Sequence, residues 1–540
     1  MFVRVKKHPG SKRCSVLICE TVREEKTVSQ QIIKHLGISD DPEKIDAMKA
    51  QGQQFIEELK FARANPTIPK QTLSLNTREV TRKNVGIRDV LGTLYDELGF
   101  NTILGSKKLC KTLKSVVLTR FAEPSSKRKT SLILERKFNE TLPLDSIYYM
   151  MDQLVENLDT SQRIVFQATK LAVGNTVDLA LFDVTTLHLE TVVQDELRNF
   201  GYSKNNRMDS TQVTLALATT SDGLPIGYRL FPGNTAEVNT LMASINQWKE
   251  NISINKIIIV GDRAMMSKDN IAKLQQSKLG YIIAYPLKKS IASLKDKILN
   301  KSTYTNTTTT KETYLKQEIE LENNQRLIVT FSEKRRQKDE KDRNKLISKL
   351  EKKLSTTKDA KKLITNRGYL KFTDISNKTQ AEINQEKVAE DAKWDGLHGV
   401  VTNTHLSAEE VIDKYKNLWV IEEAFRINKH NLKMRPIYHY TPNRIKAHIE
   451  ICFLTFALVK HALRVLKNAG QKMSTSELRE ELSPIEASII KDCDSGLLYK
   501  MPPSLTYQAN EIYKAFGLEN KFSMQQLSEH DIALEDFKKQ

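Results

Sequence analysis

The order of strand-like and helix-like segments between residues 177 and 284 constrains the fold most. Three strand-like segments come first, at 177–189, 213–218 and 226–231, and all are rich in aliphatic and β-branched residues. A helical segment near 238–250 leads to the apolar run 257–260, which is typical of a strand buried on both faces. Another helix precedes a strand at 281–284. Strands and helices in this order predict an α/β fold with a mixed sheet.

Three strands, a helix, a strand, a helix and a strand is the order of an RNase H-like mixed sheet, although the strand count alone is weak support. Residues 76–170 have helical periodicity and many Lys and Arg residues, which suits DNA docking; a helical scaffold with solvated charges explains any single helix equally well. After residue 290 the composition shifts to Lys, Thr, Asn and Glu, which we interpret as an insertion. The predicted domains are a small α+β module (1–75), a mainly helical DNA-binding region (76–170), the first part of the core (171–290), the insertion domain (291–395), the second part of the core (396–470) and a C-terminal region (471–540).

Three later helices are predicted from the spacing of apolar residues. In the charged run 332–354, Leu346, Leu350 and Leu354 recur every four residues, which indicates one packed seam on a solvated helix. Residues 408–433 form one long predicted helix with Ser407 as its N-cap. The apolar segment 445–466 predicts a buried helix.

The net charge is strongly positive. Lys and Arg number 84 against 66 Asp and Glu, a formal charge of +18. Nucleic acid is the usual polyanionic partner of such a protein, since each neutralised phosphate releases condensed counterions. A merely soluble basic surface remains the alternative on charge alone.

Several other classes of protein receive no support from the sequence. The five cysteines are scattered, without the spacing of a zinc site or a disulfide framework. The first residues carry charges inside their apolar run and lack a signal-peptide cleavage site. The longest apolar stretch contains three basic residues and is too short to span a bilayer. We therefore expect a cytoplasmic protein with no membrane partner.

Two aspartates are placed as strand carboxylates. Asp183 lies inside an apolar run, where an isolated carboxylate is costly to bury and something should compensate it. Asp262 follows the run 257–260 at a strand end, where sheet enzymes present ligands. Taken singly, each is explained at least as well as a turn or edge Asp.

Glu422 lies on the predicted helix 408–433. At 100° per residue it falls within about 60° of Tyr415, Leu418, Trp419 and Phe425, whereas Glu423 falls off that stripe. A carboxylate on an apolar stripe needs a partner such as Arg426 or a metal ion, and the helix alone does not choose between them.

Together the three carboxylates supply only hard oxygen ligands. This set fits Mg²⁺ or Mn²⁺ better than zinc. Two such ions about 4 Å apart can deprotonate an attacking water or 3′-hydroxyl and stabilise the leaving oxygen. The predicted cofactor is therefore Mg²⁺, or Mn²⁺, with two ions in the site.

The same residues resemble the DDE transposases of bacterial insertion sequences, in the superfamily with a Tyr-x2-Arg-x3-Glu-x6-Lys signature. Here the signature reads Tyr415, Leu418, Glu422 and Lys429, with Leu418 in place of the Arg. Asp183-Val-Thr185 is similar to the first catalytic motif and Gly261-Asp-Arg-Ala264 to the second. Further likeness comes from Gly-Tyr-Ser-Lys at 201–204, Asp-Gly-Leu-Pro at 222–225 and Pro-Gly-Asn-Thr at 232–235. The leading module and the segment 120–127 resemble the long-form members.

The resemblance implies a catalytic and metal-binding triad of Asp183, Asp262 and Glu422, and a β-rich insertion between the second Asp and the Glu. It implies DNA contacts from Tyr415, Arg426, Lys429, Arg263 and Lys204. Trp419 would stack on an extruded base, or pack in the core. The implied partners are the terminal inverted repeats and target DNA, bound by a homodimer. The alternatives are an RNase H-like nuclease without strand transfer and a transposase-derived protein that only binds DNA.

Overall fold

The computed structural model describes residues 1–7, 10–11, 13–24, 27–64, 76–201, 210–252, 257–308, 312–356, 371–376, 380–518 and 524–527. The chain forms two compact units. The smaller contains Met1–Arg78 with Asp492–Gly496, and the larger contains Glu79–Lys491 with Leu497–Gln540. The domain boundaries predicted inside the larger unit stay predictions.

The smaller unit is an antiparallel sheet with one helix. Strands β1 (Phe2–Lys7), β2 (Cys14–Glu24) and β3 (Thr27–Ser39) pair in sequence order, and α1 (Pro42–Ala64) packs on them. Gly52 permits this packing, because a Cβ atom there would lie 2.8 Å from Leu36 Cδ1. A sheet with one helix is the α+β content predicted for residues 1–75.

The larger unit alternates helices and strands around one large sheet. Its helices are α2 (Gly86–Glu97), α3 (Lys107–Ala122), α4 (Lys127–Phe138), α5 (Leu144–Glu156), α6 (Leu158–Ala172), α7 (Glu237–Ile252), α8 (Lys268–Gln276), α9 (Ala292–Leu299), α10 (Glu333–Thr356), α11 (Gln385–Ala392), α12 (Ala408–Lys416), α13 (Trp419–Arg426), α14 (Pro442–Asn468), α15 (Thr475–Leu482) and α16 (Tyr507–Ala515).

The strands of this unit form three sheets. They are β4 (Thr77–Asn84), β5 (Leu179–His188), β6 (Gln212–Thr219), β7 (Pro225–Pro232), β8 (Ile258–Gly261), β9 (Gly280–Tyr285), β10 (Thr305–Thr308), β11 (Thr313–Leu321), β12 (Gln325–Phe331), β13 (Thr373–Ser376), β14 (Gln380–Ile383), β15 (Leu397–Thr402), β16 (Glu486–Asp492), β17 (Leu498–Lys500) and β18 (Gln525–Gln526). The large sheet has the order β10-β11-β12-β15-β9-β8-β5-β6-β7, beside a β13-β14 pair and a four-stranded sheet β18-β17-β16-β4.

The core of the large sheet is RNase H-like, as predicted. Strands β5, β6 and β7 form an antiparallel meander, whereas β5, β8 and β9 run parallel, so the core order is β7-β6-β5-β8-β9. Parallel neighbours need crossover helices, and α7 and α8 supply them. Strands from the insertion extend the sheet, because β15 pairs with both β9 and β12.

Apolar layers cover the two faces of the core sheet. Along β5, Leu179 and Leu181 join a core with helices such as α13 and α14, whereas Ala180 and Phe182 join a second core with α7 and α8. This follows from the period of two along a strand. Odd-numbered β5 residues, including Asp183, therefore share the face on which α13 lies.

The predicted continuous helix 408–433 is wrong. It is interrupted after α12: α13 starts at Trp419, and a π-helix follows at Ile427–Asn431. Residues 76–170 are mainly helical, as predicted, but begin with strand β4, which the sequence did not indicate. The Ser407 N-cap is confirmed by a capping box with Glu410. In α10, Leu350 is buried and Leu346 and Leu354 pack beside it, which confirms the predicted seam.

Helix α14 is the central helix of the larger apolar core, as its sequence predicts. It starts with Pro442 in its first turn, a position that suits a residue without an N–H group. Within the described residues, no helix is long and apolar enough to cross a membrane. On its buried side, Glu450 accepts hydrogen bonds from Ser161 Oγ at 2.5 Å and Tyr228 Oη at 2.6 Å. Burial raises the pKa of Glu450 to about 7.

We expect Glu450 to make stability fall as pH rises. The carboxyl pKa is higher in the folded protein than in the unfolded chain, so the unfolded state loses its proton first between about pH 4.5 and pH 7. Glu450→Gln should remove this loss and gain about 1 to 3 kcal/mol relative to wild type between pH 5 and pH 8. Urea unfolding of wild type and Glu450→Gln at pH 5 and pH 8 measures this difference in the free energy of unfolding. The same pH dependence in both proteins would contradict a buried, protonated Glu450.

Candidate active site

The two predicted aspartates lie side by side. The last register pair printed between parallel strands β5 and β8 is Leu181 with Val260, and Asp183 and Asp262 each lie two residues further on. Both therefore point to the same face of the sheet, on neighbouring strands that lie about 4.8 Å apart. That face is the one on which Leu181 and Val260 join the core with α13.

Local hydrogen bonds orient both carboxylates. Asp183 Oδ1 accepts from Val184 N at 2.7 Å, and Asp262 Oδ1 accepts from Ala264 N at 2.8 Å. The second bond caps a short 3-10 helix at Arg263–Met265, which ends β8 immediately after Gly261. Both side chains are half-buried, so solvent reaches Asp183 in the middle of β5 and Asp262 immediately after β8.

Glu422 lies on α13, which packs against β5, but it is not on the buried stripe. The buried residues of α13 are Val420, Ile421, Ala424 and Phe425, whereas Glu422 is exposed. The placement predicted from 100° steps is wrong because the helix is interrupted at residues 417–418, which changes the angle between Tyr415 and Glu422. Arg426 pairs with Glu423 at 3.3 Å, so the interpretation of Arg426 as the partner of Glu422 is also wrong.

The hydroxyl group of Tyr415 responds to the charges of both Asp262 and Glu422. Burial first, and then the negative charges of Asp262 and Glu422, raise the pKa of Tyr415 to about 12. Both carboxylates are therefore close enough to this side chain to act on it electrostatically. The same face of the sheet thus presents Asp183, Asp262 and, from the helix beside them, Glu422.

The three carboxylates do not form a closed ligand cluster. Within the residues that the structure describes, no group of three or more His, Cys, Asp and Glu side chains could hold a metal ion as placed. The donor set itself suits a hard divalent cation, because it consists of carboxylate oxygens that solvent can reach.

The predicted DNA-contacting residues have different environments. Lys429, in the π-helix, donates a hydrogen bond to Thr185 Oγ1, two residues from Asp183 on the same face of β5. Arg263 and Arg426 are exposed. Trp419 is 54% exposed, which rules out simple core packing. Lys204 lies outside the described residues.

Sequence reasoning missed two residues beside Tyr415. The ring of His398, on β15, lies 4.9 Å from the Tyr415 ring, centroid to centroid. Arg335, near the start of α10, affects the pKa of both rings. Burial and then the positive charge of Arg335 lower the pKa of His398 to about 4. The same charge lowers the pKa of Tyr415 and so offsets part of its increase. Helix α10 follows β12 directly, and the pairing of β12 with β15, in which Thr330 lies opposite His398, places the start of α10 near Tyr415. No local motif in the sequence indicates this pairing.

Family models match two parts of the chain. Residues 178–458 match the model described as transposase DDE domain, which is more than half of the chain. The chain belongs to the DDE transposase family. The N-terminal residues 3–64 of this DDE transposase match the model described as IS1634 family transposase, N-terminal domain. The matched DDE domain includes Asp183, Asp262 and Glu422. Members of this family use divalent metal ions.

Other comparisons with known proteins add little. No curated protein matches this DDE transposase. A solved structure described as Mos1 transposase paired-end complex with left transposon end is similar at 10% identity with a TM-score of 0.15. The similarity covers 29% of this chain and 53% of that one, so the chain spans about half the length of that transposase. With so low a TM-score, the RNase H-like assignment depends on the sheet order described above.

The exposure of Trp419 predicts a clear contrast with its neighbour Phe425. Trp419→Ala should change the free energy of unfolding by less than about 0.5 kcal/mol, as for a typical surface residue. Phe425→Ala, which empties a buried site on the same helix, should cost about 3 to 5 kcal/mol. Urea unfolding of both variants measures this, and a large loss for Trp419→Ala would show that the indole is packed.

Proposed function

We propose that this protein is a transposase that cuts DNA at the ends of its own insertion sequence and joins those ends to target DNA. The observation that carries the proposal is the placement of Asp183 and Asp262 on one face of neighbouring parallel strands, next to the helix of Glu422. Three carboxylates on one face, in a DDE domain, suit phosphoryl transfer.

The proposed reaction is a series of in-line displacements at phosphorus. A water oxygen bonds to the phosphorus at the element end, and the 3′ oxygen leaves and takes up a proton. The freed 3′-hydroxyl then attacks a second phosphodiester, so that one P–O bond forms as another breaks. Cut-and-paste movement follows when this second bond is in target DNA.

Asp183, Asp262 and Glu422 would hold Mg²⁺ or Mn²⁺, two ions in the site. Bound ions would lower the pKa of the attacking hydroxyl and stabilise the leaving oxygen. The hydrogen bonds from Val184 N and Ala264 N orient the carboxylate groups of the two aspartates. The glutamate completes the set when α13, or its side chain, moves toward the strands.

Other side chains around the carboxylates are suited to hold DNA. Lys429 is held by Thr185 on the face that carries Asp183 and supplies a cation for a phosphate there. Arg335 supplies a second cation beside Tyr415, at a site where the Arg of the family signature is replaced by Leu418. The exposed indole of Trp419 can stack on a base, which is worth about 1 to 3 kcal/mol.

The proposed partners are the terminal inverted repeats and target DNA. A charge of +18 supports binding to a polyanion. Pairing two element ends for coordinated cutting requires two active sites, so we propose a homodimer on DNA. The proposed location is the cytoplasm of a bacterium, at the nucleoid when DNA is bound.

The proposal is tested by comparing Glu422→Gln with Glu423→Gln. Purified protein is incubated with Mn²⁺ and a labelled duplex containing the element end. Glu422→Gln should abolish both cleavage and strand transfer, because it removes a carboxylate ligand, whereas Glu423→Gln removes the same charge one residue away and should keep both activities.

The other outcomes separate the alternatives. If wild type cuts but never joins ends to target DNA, the protein is a nuclease. If wild type binds the duplex and does neither, it is a DNA-binding protein only. If Glu422→Gln cuts normally, the assigned triad is wrong and the helix is structural.

A further inference from the structure

A group of basic side chains is buried between helices that carry none of the three carboxylates. It consists of Arg120 near the end of α3, Lys127 at the start of α4, His448 in α14 and His439 in the segment before α14; we call it the basic pocket. Lys127 is 3% exposed and Arg120 is 5% exposed. Cations are rarely buried this deeply unless something negative compensates them.

The histidines of the basic pocket are neutral and do not compensate the cations. His448 Nε2 lies 3.1 Å from the carbonyl oxygen of Met434, so it carries the proton and donates. Nδ1 is then the acceptor for Arg120 Nη2 at 3.1 Å. Burial and the nearby charges of Arg120 and Lys127 lower the pKa of His448 well below its usual range.

In the described part of the chain, no carboxylate forms an ion pair with Arg120 or Lys127. The acids nearest in sequence are engaged elsewhere. Glu123 binds Lys129 at 2.7 Å and Lys137 at 2.9 Å. The burial of Lys127 and the charge of Arg120 lower the Lys127 pKa to about 7, which shows how poorly the ammonium is compensated.

The N-terminus of α4 adds further positive potential at the same place. Ser126 caps this 12-residue helix, and its first turn contains Lys127, Arg128 and Lys129 but no acidic residue. A helix N-terminus normally favours negative charge, so the buried ammonium of Lys127 is unfavourable there without an anion, whereas Lys129 already pairs with Glu123. Next to the cap, Ser125 Oγ is buried without a hydrogen-bond partner in the structure.

We propose that the basic pocket and the first turn of α4 bind a phosphate group of the DNA backbone. Lys127 and Arg120 would pair with the anion, and Ser125 Oγ would donate to it. Ser126 and Arg128, the chain neighbours of Lys127, are exposed, so this part of α4 lies at the protein surface. The exposed rings of Tyr438 and Tyr440 flank His439, where they can contact the same strand. This inference rests on the proposed action on DNA and adds a second contact to it.

The test uses Lys127→Met, with Arg136→Gln as the control, because Arg136 is exposed in the last turn of the same helix and lies outside the proposed site. Without anions, Lys127→Met should unfold at the same temperature as wild type or higher, because it removes an uncompensated buried charge. Inorganic phosphate, compared with chloride at equal ionic strength, should raise the Tm of wild type and of Arg136→Gln but not that of Lys127→Met. A Tm unaffected by phosphate in wild type, or a strongly destabilised Lys127→Met, would overturn the proposal.

A second measurement tests DNA as the source of the phosphate. Binding to a duplex without divalent metal should weaken about tenfold in Lys127→Met, as for one lost charge-assisted contact. The slope of log K against log salt should fall by about 1. If Lys127→Met and wild type bind the duplex with equal affinity and equal salt dependence, the proposed DNA contact is wrong. The basic pocket would then bind free phosphate only. If wild type itself binds no DNA, the proposed function fails rather than the pocket alone.

Discussion

The parallel pairing of β5 with β8 is the constraint on which the site depends. Apolar layers pack on both faces of these strands, and the period of two assigns every side chain to one layer or the other. Because Leu181 pairs with Val260, Asp183 and Asp262, each two residues further on, come to the same level and the same face of the sheet. A register shift of one residue would point one carboxylate into the opposite apolar layer, where it would be uncompensated.

The larger unit handles its buried charges in three ways. Arg343 and Asp395 form an ion pair at 2.5 Å, with both side chains less than a tenth exposed. Glu450 is held by two hydroxyl groups and titrates near pH 7. Arg120 and Lys127 have neutral histidines for neighbours, with no acid paired to them in the described residues. In the first two cases the buried charge has partners within the protein, whereas in the third an uncompensated cation gains from any phosphate that reaches it.

Much of the core and the two aspartates could be predicted because their signals are local. The strands around Asp183 and Asp262 are continuous apolar runs, and Ser407 starts its helix with a capping box. Strand β4 was missed because its residues, Thr-Arg-Glu-Val-Thr-Arg-Lys-Asn, are mostly polar and its pairing with β16 spans about four hundred residues. Long-range pairing of this kind leaves no periodic signal.

The Glu422 helix shows the limit of arithmetic on an assumed helix. The angle between Tyr415 and Glu422 is meaningful only if the helix is continuous, and the interruption at 417–418 changes it. Arg335 and His398 were missed for a different reason: they come to Tyr415 only through the pairing of β12 with β15. The prediction that Glu422 is a catalytic residue therefore depends on the family motif and not on its burial.

Direct binding of Mn²⁺ tests most directly whether the paired aspartates form a metal site. Titration of the protein with Mn²⁺, followed by electron paramagnetic resonance of the free ion, should show binding to wild type that Asp262→Asn loses. Asp269→Asn is the control, since that exposed carboxylate, close in the chain, already pairs with Lys273 at 2.6 Å. Equal Mn²⁺ binding by wild type and Asp262→Asn would contradict the assignment of the site.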